Sequence, residues 1–455
     1  MEFETLKKTP VFEALSSIGK RIYQPNGIFY WTSRAKKEAE INATIGTAVG
    51  FESDIIEGGR EKLLTYYLPE LKQYINLSPE KFASYAPIAG LPTFRDLWEK
   101  WIIYKGMNAK NLPSGSIDIT GKITKPAICN GITNCIFLIS KFFLNPGERI
   151  ICPNKRWGNY NSVLHLQNEL KIEFFQFFKE SELNIEGILE LMQKISETQD
   201  KIVLILNFPN NPTGYCPTKN EIQKILNSLK NFCDSSNKPV LIFCDDAYEG
   251  YSYSDQRVGT SIFYELIDLH PNLIPIKLDG ASKEVLMYGG RTGAITLGIH
   301  SSWLPHSEKE LFLQDWENKI QGMIRSTISN SNHFYQEVLI EILRGGFEKM
   351  EESRKKIYEI LKKRYFASIN AFNKYKTEGI TMDPAGGGFF VFLNIDKIPA
   401  TNFADHLLKE YKVGTFPIMS EKEEINGIRV AFCSIPLEKI EETFKRINLT
   451  LSDLS

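Results

Sequence analysis

The sequence predicts an α/β protein, with a three-layer large domain built on a mostly parallel sheet and a smaller α+β domain beside it. Short apolar runs of strand length alternate with amphipathic stretches of helix length through the middle of the chain. Towards the C-terminus the alternation gives way to one long helical pattern and then to further strand-like runs. The chain has 455 residues, 42% of them apolar, which is enough for two or three domains and a large core. The expected division is a large domain over residues 80–335 and a discontinuous small domain made of residues 1–79 and 336–455.

Residues 127–144 form the most apolar long stretch, interrupted by Asn130, Asn134, Ser140 and Lys141, and read as a buried helix rather than a membrane span. The clearest unit covers residues 201–246. There KIVLILNF reads as a strand, PNNPTG as a turn, and Thr218 with Glu221 as a capping box for a helix striped by Ile222, Ile225, Leu226, Leu229 and Phe232. PVLIFC follows as a second strand, and a right-handed crossover would make the two neighbours and parallel. Asn211 and Asp245 then fall past the carboxyl ends of strands, the edge where open α/β sheets bind ligands. A third run, NLIPIKL, delivers Lys283 to the same edge if it too is parallel, and a fourth covers residues 294–299. Residues 350–372 read as a long helix leaving the sheet domain, and GGGFFVFLNI and GIRVAFCSI as strands of the smaller unit.

Charge and composition narrow the function. With 54 Lys+Arg against 55 Asp+Glu the net charge is −1, and there is no long basic block, so neither nucleic acid nor an anionic membrane is expected as a partner. The opening MEFETLKKTP has neither the basic start nor the apolar run of a signal peptide. The 7 cysteines form no CxxC pair and read as packed, reduced thiols of a cytoplasmic protein. The 6 histidines are scattered without HExxH spacing, so no metal site is expected.

Lys283 sits among Gly280, Ala281 and Ser282, with Arg291 in a glycine-rich turn eight residues on. It is either an ordinary loop lysine or an amine whose pKa is lowered by partial burial and a nearby cation, fit to form a Schiff base with an aldehyde. Arg291 and Ser282 could then hold a phosphate carried by that aldehyde. Asp245, at the end of a buried strand, needs a partner: a helix cap, a structural salt bridge, or the N–H of a protonated ring. Tyr248 and Asn211 are core and turn residues, or hydrogen-bond donors to a ring oxygen. The Cys129–Cys135 segment leads into a helix whose first amides, at Ile132 and Thr133, can receive a phosphate. Trp157, an indole in a polar loop, can stack on a planar ring or lie at a domain seam.

Asn207-Phe-Pro-Asn-Asn-Pro-Thr-Gly214, Asp245-Asp-Ala-Tyr248 and Ser282-Lys283 with Arg291 resemble, in order, the signatures of the class I/II aminotransferases, pyridoxal-phosphate enzymes of fold type I. Tyr85-Ala-Pro-Ile-Ala-Gly90 and Gly427-Ile-Arg429 fit the same family, so the resemblance runs from about residue 45 to about residue 435. It implies an enzyme that moves an amino group from an L-amino acid to a 2-oxo acid by a ping-pong path, with pyridoxal 5'-phosphate as cofactor. It also implies that Lys283 is the Schiff-base lysine, that Asp245 partners the pyridine nitrogen, and that Asn211 and Tyr248 donate to the phenolate oxygen. Ser282, Arg291 and the amides of Ile132 and Thr133 match the phosphate set, Trp157 the stacking aromatic, and Arg429 the arginine that binds the substrate α-carboxylate. Tyr85 resembles a residue that reaches the neighbouring subunit's cofactor, which implies a homodimer with shared active sites. On the residues alone, Arg429 reads as a strand-edge surface arginine.

Two departures stand out: Gly280 lacks a hydroxyl that many relatives have, and Phe208 replaces an Asn of the commonest form of its motif. Arg325 resembles in placement an arginine that some dicarboxylate-specific relatives use, but a structural salt bridge is the role expected for it. The same motifs also suit a C–S or β-lyase or a decarboxylase on this scaffold. A non-catalytic regulator with an aminotransferase-like fold is a remoter alternative, since no basic helix-turn-helix pattern precedes Tyr85.

Overall fold

In the computed structural model, which describes residues 3–23 and 27–454, the apolar runs assemble into a seven-stranded sheet. Met1 and Glu2, part of the segment read for a signal peptide, lie outside the described residues. In chain order the strands are Ala127–Cys129 (β1), Arg149–Pro153 (β2), Lys171–Phe175 (β3), Ile202–Leu206 (β4), Val240–Asp245 (β5), Leu273–Gly280 (β6) and Gly293–Leu297 (β7). Their order across the sheet is β1-β7-β6-β5-β4-β2-β3. Strand β7 runs antiparallel to both of its neighbours, and the other pairs are parallel. Every residue of β4 and β5 is buried, so helices cover both faces. That is why these strands read as unbroken apolar runs instead of alternating ones.

The helices that matter for the site are Pro92–Met107 (α1), Ile132–Phe143 (α2), Lys219–Ser236 (α3), Lys309–Arg325 (α4) and Phe347–Tyr375 (α5). Helix α3 makes the expected crossover between β4 and β5. Thr218 Oγ1 accepts from the Glu221 amide at 3.2 Å, and the Thr218 amide donates to Glu221 Oε2 at 2.7 Å, closing the capping box. All five apolar stripe residues of α3 are buried.

One reading is corrected. Residues 127–144 are not a single helix: Ala127–Cys129 form β1, paired with β7 through Ile128 and Ala294, and only Ile132–Phe143 are helical. Gly131 separates the two at φ 79°, a conformation that favours glycine. A continuous apolar run does not itself distinguish a buried strand from a buried helix.

A second, four-stranded antiparallel sheet is formed by Ile380–Met382 (β8), Val391–Ile395 (β9), Phe416–Ser420 (β10) and Ile425–Val430 (β11), in the order β8-β9-β11-β10. Helix α5 packs against the C-terminal helix Leu437–Leu454. The segment Ile41–Asn42 pairs with Val413–Gly414, bringing the N-terminal part of the chain beside this sheet.

Just past β2, Lys155 reaches across to the small sheet and places Nζ 2.7 Å from Asp383 Oδ2 and 2.7 Å from Asn394 Oδ1. Its neighbour Arg156 pairs with Glu423 at 2.7 Å. Among the described residues no helix is long and apolar enough to cross a membrane. Replacing the α3 cap, Thr218→Ala, is expected to cost about 1 kcal/mol, read as a lower denaturant midpoint with an unchanged slope.

Candidate active site

Because β5 and β6 are parallel neighbours in register Asp245↔Leu278, their carboxyl ends open on one edge. Asp245 is the last residue of β5, and the turn Ala281–Glu284 that carries Lys283 follows β6 directly. The two side chains act on each other: burial pushes the Asp245 carboxyl up and the Lys283 amine down, and each opposes that shift in the other. Arg291 pushes the Lys283 amine further down. No direct salt bridge joins Asp245 to any base among the described residues. Its carboxylate accepts from the Tyr160 hydroxyl at 2.5 Å and from the Ala247 amide at 3.2 Å.

Tyr248 is buried, with its ring centroid 5.3 Å from Lys283 Nζ. Asn207 ties two parts of the site together. Its Nδ2 donates to the Asp245 carbonyl at 2.8 Å, and its Oδ1 accepts from the Asn211 amide at 2.9 Å. The Asn211 side chain takes up Arg429: its Oδ1 accepts from Arg429 Nη1 at 3.0 Å, which leaves the Asn211 Nδ2 as a donor facing elsewhere. Trp157 is half-buried and meets Tyr160 edge to face, with ring centroids 5.7 Å apart.

Below these groups the α2 N-terminus carries no side-chain cap, so its first amides, at Ile132 and Thr133, are free for an anion. Arg291 crosses this end closely: a Cβ on Gly131 would lie 2.5 Å from Arg291 Nη2. Ser282 is buried next to Lys283. The missing hydroxyl at Gly280 has a steric cause, since a Cβ there would come within 2.4 Å of the Thr292 carbonyl oxygen. A half-buried amine that interacts with a buried carboxylate, together with an anion cradle of helix amides and an arginine, fits an aldehyde-bearing, phosphorylated pyridine.

Arg429 corrects the surface reading. It is 6% exposed, its guanidinium lies 4.2 Å from the Phe390 ring centroid and 5.1 Å from that of Phe416, and Nη2 donates to the Thr44 carbonyl at 2.8 Å. Far from a sheet edge, β11 lies between β9 and β10, and the Phe390 and Phe416 rings cover the guanidinium on the sheet face. Its Nε has no hydrogen-bond partner and no carboxylate pairs with it among the described residues; burial pushes its pKa down to about 10.

Arg325 corrects the salt-bridge expectation. At the end of α4 it donates to Ser329 Oγ and pairs with no acid among the described residues. Tyr85, 90% exposed, lines an open cleft of about 840 Å³ with Arg291 and Arg325. Sequence reasoning missed Tyr160 and Asn207. Tyr160 follows Trp157 by three residues, and Asn207 opens a motif already noticed, but only the fold puts both on Asp245.

The family model for aminotransferase class I and II matches residues 55–447. The tyrosine aminotransferase of Dictyostelium discoideum is 22% identical over 82% of this chain and 81% of its own length. The mitochondrial aspartate aminotransferase of Schizosaccharomyces pombe is 24% identical over 86% of this chain and 82% of its own. Among solved structures, an aminotransferase from Anaerococcus prevotii superimposes with a TM-score of 0.77 at 26% identity, covering 96% of this chain and 98% of that one. The kynurenine aminotransferase of Pyrococcus horikoshii, solved in complex with PMP, gives 0.75 at 18% identity, covering 98% of each chain. With its two-domain α/β architecture and a family match over most of its length, this chain belongs to the class I and II aminotransferases, transferases that move an amino group between an amino acid and a 2-oxo acid.

Proposed function

We propose that the chain is a pyridoxal 5'-phosphate-dependent aminotransferase that works by two half-reactions at the edge formed by β5 and β6, and that Lys283, Asp245 and Arg429 carry the chemistry. The observation that supports this most directly is Arg429, a buried cation with no anionic partner among the described residues. Leaving a buried charge unpaired costs several kcal/mol, roughly 3–5 in proteins, and a substrate α-carboxylate supplies the missing partner in bidentate form. The two phenylalanines that flank the guanidinium exclude water and strengthen that pairing.

When bound, pyridoxal 5'-phosphate supplies an electron-withdrawing ring and an aldehyde; the residues provide the rest. Asp245, pushed up by burial while Tyr160, Lys283 and the Ala247 amide favour its charged form, would hold a ring N–H. Asn211 Nδ2 and the Tyr248 hydroxyl would donate to a ring oxygen, and Trp157 would cover a ring face. Arg291, Ser282 and the amides of Ile132 and Thr133 would bind the phosphate. Lys283, whose amine burial and Arg291 push towards its neutral form, would take the substrate Cα proton at Nζ.

Tyr85 stands out from the surface beside Arg291 and Arg325, which supports a homodimer in which it reaches a neighbouring site. Arg325, paired with no acid among the described residues, supports a dicarboxylic acceptor such as 2-oxoglutarate. The seven free cysteines are all buried, which supports a reducing, cytoplasmic setting.

Lys283→Ala is expected to abolish turnover with amino acid and 2-oxoglutarate while still binding the cofactor non-covalently, seen as retained cofactor without the absorbance band of the lysine-bound form. Full activity in this variant would overturn the assignment. Arg429→Lys keeps the charge but loses the bidentate fork, so KM for the amino acid should rise by about tenfold to a hundredfold. In Tyr160→Phe the Asp245 carboxylate loses a donor that favours its charged form. Its pKa should rise, and the acid limb of the pH–rate profile should move to higher pH.

A further inference from the structure

On the opposite face of the same strands lies a second set of buried charges that this reaction does not use. Lys277, inside β6, places Nζ 2.5 Å from Asp246 Oδ2 and 2.8 Å from Glu249 Oε2. Lys105 of α1 places Nζ 2.7 Å from Glu249 Oε2, 2.7 Å from Glu284 Oε1 and 3.8 Å from Asp279 Oδ2. Glu249, Asp279 and Glu284 are clustered tightly enough to hold a metal ion, but the Lys105 ammonium already stands among them. The Trp98 indole donates to Asp279 Oδ1 at 3.1 Å and the Trp101 indole to Glu284 Oε1 at 2.8 Å.

A buried network of this kind is a poor source of stability, since apolar side chains of the same volume would do as well or better. Its distinctive property is where it attaches. Asp246 directly follows Asp245, and Glu284 directly follows Lys283. Beside it, the buried Tyr251 hydroxyl donates to the Lys283 carbonyl oxygen at 3.0 Å. The turn that bears Lys283 is a single helical turn, Ala281–Glu284; its backbone bonds run to Val285, Leu286 and Met287, with one tie further off from the Ala281 amide to the Thr292 carbonyl at 3.1 Å, and none of these fixes its C-terminal half from outside. A turn that short holds its place only if it is tied from outside.

We propose that Tyr251, together with Glu284 clamped between Lys105 and Trp101, positions Lys283: the catalytic turn is gripped from the back face of the sheet, so that its amine meets the substrate Cα at a fixed place. The grip touches neither cofactor nor substrate, so these are positioning residues. The inference rests on the assignment of Lys283 as the proton-transfer residue. Misplacing an oriented catalytic group by about 1 Å can cost a hundredfold in rate, and one lost hydrogen bond amounts to about a fivefold to tenfold effect.

The test compares Tyr251→Phe, Glu284→Gln and Lys283→Ala with Tyr358→Phe as a control. Tyr358 also donates a hydroxyl to a backbone carbonyl, that of Ser252 at 2.6 Å, but has no bond to the catalytic turn. Tyr251→Phe is expected to lower kcat about fivefold to tenfold with KM for the amino acid changed less than about twofold. It should also speed hydrogen exchange of residues 280–287, in the cofactor-free protein as well as the loaded one. Tyr358→Phe should do neither. Glu284→Gln keeps the acceptor for Trp101 but loses the charge facing Lys105, and should show a smaller effect of the same kind; it carries the test if Tyr251→Phe does not fold. Unchanged kcat and unchanged exchange in the grip variants would overturn the proposal, as would an equal loss in Tyr358→Phe. If Lys283→Ala retains turnover, the assignment of Lys283 has failed; if it is inactive while the grip variants behave as wild type, only the grip has failed.

Discussion

Asp245, buried, and Lys283, half-buried, meet at one sheet edge, each shifting the other's pKa, yet no salt bridge within the described chain satisfies the acid. Burial pushes the carboxyl up and the amine down. The Tyr160 hydroxyl and the Ala247 amide donate to the carboxylate and so favour its charged form. The rest of the site follows from maintaining this separation. The parallel pairing of β5 and β6 brings the two chain ends level, and Asn207 fixes the β5 end to the loop that carries Asn211.

The small sheet contributes the complementary half. Arg429, within its interior strand, reaches Asn211 of the large sheet's edge, so the group proposed to recognise a carboxylate is hydrogen-bonded to one proposed to face the ring. Lys155 and Arg156 span the same seam immediately before Trp157. The two sheets therefore share polar contacts on both sides of the space where a ring and an amino acid would meet, and orientation there depends on both together.

Much of this was legible in the string of residues, for identifiable reasons. The α3 cap and stripe, the crossover between β4 and β5, and the polar residues at strand ends are local patterns that obey short-range rules. Residues 127–129 were misread because an apolar run carries no period, and only the pairing with β7 made them a strand. Arg429 could not be placed inside or outside without knowing that its strand is an interior one and that Phe390 and Phe416 close over its guanidinium. Tyr160, Asn207, Tyr251 and the Lys105–Glu284 contact are distant in sequence from what they touch, and no spacing announces them.

The two consecutive acids at the end of β5 have a further consequence. Strand β5 is apolar on both faces, so its hydrophobic pattern barely distinguishes one alignment with β4 and β6 from a shift by a single residue. The acids do distinguish them. Sliding the strand one way would put Ala247 opposite the Lys277 ammonium, and sliding it the other way would put Cys244 opposite the Tyr160 hydroxyl. Either error takes from a buried polar group the carboxylate placed opposite it, so the doublet Asp245-Asp246 acts as a two-sided proofreading mark for strand alignment.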